Sequence, residues 1–208
     1  MIINKLFEYY INGKNDKYDI KEIHNTLPEN DIIVGQVLKN LNNNTTKVIK
    51  DDDINGNYYV FLNDAIYLSN KNKSNKEYSR LTVICHECVH SIQPKILQII
   101  NFIFSNIEII IFAICLIFKI ILKKENYVEV IYITSVILSL IPRFILEIHA
   151  SILSISLTRK YLLDNNKTEE EADFVYNIVK FQVIALLPFM LISLCMWKIV
   201  RILILLIL

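Results

Sequence analysis

Polar and apolar residues are unevenly distributed along this chain. Residues 1–80 mix short apolar runs with Asn, Lys and Asp, whereas most of the remainder is Ile, Leu, Val and Phe. Three long apolar stretches dominate that second part, at about Leu97–Leu122, Val128–Leu146 and Phe174–Trp197. Each is near the length needed to cross roughly 30 Å of hydrocarbon as a helix. The first is interrupted by Asn101, Asn106 and Glu108 and carries Lys119 near its end. The second keeps Glu129 and Arg143 near its ends, and the third is followed by Lys198, Arg201 and the apolar tail Ile202–Leu208. The polar run Lys123-Lys124-Glu125-Asn126 separates the first two, which predicts a hairpin across a bilayer.

The polar part changes period along its length. Ile3, Phe7 and Tyr10 fit one helical face over residues 2–12, closed by Asn12-Gly13. A second helix is predicted from about Pro28 through Ile33, Val37, Leu38 and Leu41 to the run Asn42-Asn43-Asn44. Thr46–Ile49, Tyr58–Leu62 and Ala65–Leu68 read as short strands, with Asn63-Asp64 as the turn between the last two. Ser74-Asn75-Lys76-Glu77 fits a capping box opening a helix that ends near Gln93, before Pro94. The fold class expected is a mainly α membrane protein: about three transmembrane helices, a soluble α+β segment at 1–72, and a motif-bearing helix joined to the spans in 73–208.

Composition sharpens this picture. The chain is 53% hydrophobic with mean hydropathy +0.38, more apolar than an ordinary soluble domain of 208 residues. Its formal net charge of +1, with no basic patch interleaved with aromatics, excludes a nucleic-acid partner. The four cysteines (Cys85, Cys88, Cys115, Cys195) do not form a disulfide framework. The N-terminal residues lack the apolar core and cleavage site of a signal peptide, so the polar part is expected in the cytosol. Arg80, Lys95, Arg143, Arg159, Lys160 and Lys167 outnumber Lys119, Lys123 and Lys124 at the hairpin tip, which places the motif side on the cytosolic face.

The candidate chemistry lies in His86-Glu87-Cys88-Val89-His90. Residues i and i+4 share a helix face, so His86 and His90 can hold one ion between their imidazoles, and zinc suits neutral imidazole nitrogen. Glu87, beside the first ligand, is placed to act as a general base on water. A third ligand must come from elsewhere. Glu147, His149 and Glu169 are the candidates. Glu147, a charge amid Leu and Ile at the exit of the second apolar stretch, requires a partner. Glu169 begins the run Thr168-Glu169-Glu170-Glu171, an ordinary acidic helix start. Cys85 and Cys88 interleave with the motif on the same helix and read as small packing residues. Glu108, inside a span, has no assigned role, and His24 reads as a surface histidine.

Two blocks of this chain, Tyr58–Gln93 and Pro142–Leu162, resemble the YugP-like family of bacterial membrane proteins, described as neutral zinc metallopeptidases. The matching pieces are Ala65-Ile66-Tyr67-Leu68-Ser69, the run Val83–Gln93 around the histidine motif, and Leu146-Glu147-Ile148-His149-Ala150-Ser151. The resemblance places Glu147 on the family's glutamate, the third zinc ligand by analogy with HtpX-type membrane peptidases. Val89 stands where the family has Gly, Ile152 and Leu153 where it has arginines, and a polar segment where it has an N-terminal membrane helix.

These readings converge on a zinc metallopeptidase in a bacterial cell membrane, multi-pass, with a peptide or membrane protein as substrate. His86, His90 and Glu147 bind Zn2+, Glu87 is the base, and His149 or Arg159 stabilises the oxyanion. The alternatives are a non-catalytic zinc-binding membrane protein acting through a partner, and a small membrane helper whose motif is accidental.

Overall fold

The computed structural model describes residues 27–51, 53, 54, 56–69, 78–122 and 127–207. The expected helix at 2–12, His24, the capping box at Ser74–Glu77 and the polar run Lys123–Asn126 lie outside the described residues.

The first described helix, α1, is Asn30–Asn40. Glu29, after Pro28, is extended (φ −64°, ψ 156°), and Asp31 in the first turn with Lys39 in the last matches the helix dipole. Ile33, Val34, Val37 and Leu38 form its buried stripe. It ends where Asn42 turns left-handed (φ 55°), a conformation Asn tolerates better than most residues.

A three-stranded sheet follows, in the order β1-β3-β2. Strand β1 is Lys47–Asp51, β2 is Tyr58–Val60 and β3 is Ala65–Ser69. β3 is central. It pairs parallel with β1, from Lys47↔Ala65 to Asp51↔Ser69, and antiparallel with β2, from Tyr58↔Tyr67 to Val60↔Ala65. The strand expected at Tyr58–Leu62 stops early, because Phe61–Asn63 forms a 3-10 turn and Asp64 adopts φ 46°. The Asp64 carboxylate holds that turn, accepting from the Tyr59 hydroxyl (2.8 Å), Thr46 Oγ1 (3.0 Å) and Thr45 Oγ1 (3.2 Å).

Four helices complete the described chain: α2 (Tyr78–Ile92), α3 (Lys95–Leu122), α4 (Val128–Asp164) and α5 (Glu169–Ile207). The expected spans 128–146 and 174–197 are parts of longer helices. α4 runs on past Leu146 despite Pro142, and α5 passes through Pro188. A proline inside a helix removes one backbone hydrogen bond without necessarily ending the helix. α3, α4 and α5 are long and apolar enough to cross a membrane. At the start of α5, the Glu171 backbone N–H donates to Thr168 Oγ1 (3.2 Å) and the Thr168 N–H donates to Glu171 Oε2 (2.9 Å), a reciprocal capping box. The acidic run at Glu169–Glu171 is thus the start of a helix.

The chain divides into two compact units, each drawn from separated segments. The first comprises residues up to Ile92 together with Ala150–Ala185, and the second comprises Gln93–His149 and Leu186–Leu208. The core of the first unit joins α1 (Ile33, Val34, Val37), β3 (Ile66, Leu68), α2 (Leu81, Ile84, Cys85, Cys88, Val89) and the later turns of α4 (Ala150, Ile155, Tyr161, Leu162). The core of the second unit is smaller, with Cys115, Val128, Tyr132, Val136 and Leu205 at its centre.

Because Ile84 is fully buried while neighbouring Val83 is 44% exposed, truncation should discriminate the two faces of α2. Ile84→Ala should cost about 2–4 kcal/mol and Val83→Ala under about 0.5 kcal/mol, read as the shift in thermal unfolding midpoint of the purified protein. Equal shifts would contradict this assignment of the buried face.

Candidate metal centre

The motif sits on α2, and its setting follows from how that helix is buried. Leu81, Ile84, Cys85, Cys88 and Val89 turn into the core of the first unit, while His86, Glu87 and His90 remain half-buried. Val89 is fully buried, so its side chain fills core space. The end of α2 is tied to the loop after α1: Asn43 Nδ2 lies 2.8 Å from both Ser91 Oγ and Thr46 Oγ1, and Ser91 Oγ donates to the Cys88 carbonyl (2.7 Å).

The two imidazoles meet edge to face, with centroids 4.7 Å apart and planes at 83°. Their Nε2 atoms lie 3.0 Å apart. Two nitrogens bound tetrahedrally to one zinc at the usual 2.0–2.1 Å would be about 3.3 Å apart, so only a few tenths of an ångström separate this pair from a ligating geometry. Glu87 turns to the sheet, where Oε2 accepts the backbone N–H of Tyr59 at 2.8 Å. β2 is an edge strand, and Tyr59 is fixed from its other end by the bond from its hydroxyl to Asp64. Burial, reinforced by the Asp64 carboxylate, holds the Tyr59 hydroxyl well above the usual phenol range.

Glu147 belongs to the second unit, on α4, with its side chain 8% exposed and Oε1 2.8 Å from Arg143 Nη2 one turn earlier. The arginine supplies the partner that a carboxylate among Ile145, Leu146 and Ile148 requires. α4 is continuous through this region, so Glu147 stands less than one turn before Ala150, which is fully buried in the core of the first unit. In the same stretch the Gln93 side-chain amide donates to the Leu146 carbonyl (2.7 Å) and lies 3.2 Å from His149 Nδ1. An amide nitrogen only donates, so His149 Nδ1 accepts and its proton resides on Nε2.

The remaining candidates fall elsewhere. Glu169 is exposed at the start of α5, and Arg159 is paired with Asp173 at 2.5 Å. Cys85 and Cys88 are fully buried free thiols. Burial pushes Cys85 up to about 12 and Cys88 well above the ordinary thiol range. Reading the sequence alone misses Tyr59, Asp64 and Gln93. Arg143 was readable as the i−4 partner of Glu147.

No family model matches the chain, and no curated protein or solved structure matches it.

The thiol state is directly checkable. At neutral pH, iodoacetamide should leave Cys85 and Cys88 unmodified in the native protein and label both once the chain is unfolded. Native labelling of either at the unfolded rate would contradict this burial.

Proposed function

We propose that this chain is a membrane-embedded zinc metallopeptidase, with His86, His90 and Glu147 as metal ligands and Glu87 as general base. The observation that carries the proposal is the 3.0 Å approach of the two imidazole Nε2 atoms on α2, with the intervening carboxylate accepting the Tyr59 N–H. The donor set suits zinc: two imidazoles and one carboxylate are the ligands of catalytic sites that leave one position for water. Cys85 and Cys88 are packed into the core of the first unit, which argues against a closed four-ligand site completed by sulfur. The resemblance of the two motif blocks to the YugP-like family supports the same reading.

The residues divide the work as follows. His86 and His90 would bind the ion through Nε2, and Glu147 through one carboxylate oxygen while Arg143 holds the other. A zinc ion held there would supply Lewis acidity toward water and the scissile carbonyl. Glu87 accepts a proton from the attacking water and returns it to the leaving amine nitrogen. The Tyr59 N–H fixes the orientation of the Glu87 carboxylate for that transfer. His149, with its proton on Nε2, has a donor available for a developing oxyanion, whereas Arg159 is committed to Asp173. The substrate is a peptide or membrane protein, cleaved on the cytosolic side of a bacterial membrane, where the basic residues of the motif side favour placing the site.

Glu87→Gln should keep zinc and lower cleavage of casein by at least about 100-fold, because the base is lost while the ligands remain. Wild-type protein that holds zinc yet cleaves nothing across a broad peptide library would favour a non-catalytic zinc protein acting through a partner. Zinc content should fall far more in Glu147→Ala than in Glu169→Ala. Equal zinc retention by those two variants would remove Glu147 from the ligand set.

A further inference from the structure

The second unit carries another cluster of charge, which the proposed metal site does not use. Glu108 lies midway along α3, a helix of 28 residues and about 42 Å. Its side chain is 2% exposed. Lys198 Nζ of α5 approaches Oε2 at 2.8 Å, Arg201 Nη1 lies 3.1 Å from both oxygens, and the Tyr132 hydroxyl of α4 donates to Oε1. Lys198 also donates to Ser139 Oγ at 2.9 Å.

The charges do not balance. One carboxylate faces two cations, leaving the cluster at +1. Elsewhere in this unit the ion pairs Lys119–Glu129 and Arg143–Glu147 each match one for one. A surplus charge taken out of water is costly unless an opposite charge joins it. The two cations, unlike the carboxylate, reach the surface of the unit: Lys198 and Arg201 side chains are 15% and 26% exposed. Glu108 engages only Nη1 of Arg201, so the Nε and Nη2 donors of the fork are not taken up by it. Phe112 lies 5.7 Å from the guanidinium carbon and steadies the group by a cation–π contact.

We infer that Lys198 and Arg201 form a binding site for a phosphate-type oxyanion, with Glu108, Tyr132, Ser139 and Phe112 holding the two cations in register. The planar guanidinium fork matches phosphate oxygens, and the ammonium adds a point charge. The oxyanion could be carried by a lipid headgroup or be free in solution, and the two sources are separable by experiment.

The full chain is reconstituted in nanodiscs of a neutral, phosphate-free glucosyl diacylglycerol, of that lipid with phosphatidylglycerol, and of that lipid with added inorganic phosphate. Thermal midpoint and lipid retained on native mass spectrometry are read in each. Phosphatidylglycerol should raise the wild-type midpoint by several degrees and remain bound. The Lys198→Gln/Arg201→Gln double variant should lose this response and retain about tenfold less of the lipid. A rise with inorganic phosphate alone would keep the site and assign it to a free anion. Glu108→Gln raises the cluster to +2 and should enlarge the response to phosphatidylglycerol. A wild-type midpoint indifferent to both anions would overturn the inference. So would a Glu108→Gln variant destabilised equally in every nanodisc, because both results fit a purely structural network.

Discussion

The helix Tyr78–Ile92 can bury only one side of itself, and the candidate centre follows from which side that is. Leu81, Ile84, Cys85, Cys88 and Val89 are drawn into the core by α1, β3 and the later turns of α4. At 100° per residue this commits His86 and His90 to a common half-buried face one turn apart. Core burial on the far side of the helix thus sets the two rings face to edge, and their Nε2 atoms meet at 3.0 Å in a hydrogen bond. The same constraint turns both sulfurs of the Cys-x-x-Cys interleaved with the motif into the core, off the face that His86 and His90 share.

A second layer of polar contacts sets the carboxylates. Asp64 fixes the turn after β2 and, through the Tyr59 hydroxyl, the strand whose backbone N–H receives Glu87. Arg143 performs the equivalent service for Glu147 on α4. In both cases a carboxylate that would be costly to leave half-buried and unsupported is oriented by a neighbour, as expected for residues whose direction matters. The Glu108 cluster follows a different logic, because its two cations exceed its one carboxylate.

Much of this was legible in the sequence, for identifiable reasons. The motif helix, the short strands around Asn63-Asp64 and the three long apolar helices announce themselves through period and length. The end of α4 did not, because Glu147 and His149 read as an exit from apolar surroundings, whereas Glu147 is paired within the helix and the chain stays helical to Asp164. The parallel pairing of β1 with β3 was equally hidden, since nothing local in Lys47–Asp51 specifies its partner. Tyr59 escaped notice because its backbone donor leaves no mark in the side-chain pattern. Glu108 stood out as a charge within a span, but its partners Lys198 and Arg201 lie 90 and 93 residues away.

Whether His86, His90 and Glu147 hold a zinc ion can be read by X-ray absorption at the zinc edge of the purified full chain. The expected result is about one zinc per chain with only nitrogen and oxygen neighbours, at roughly 2.0–2.2 Å. A protein purified without zinc, or a sulfur shell at about 2.3 Å, would contradict it.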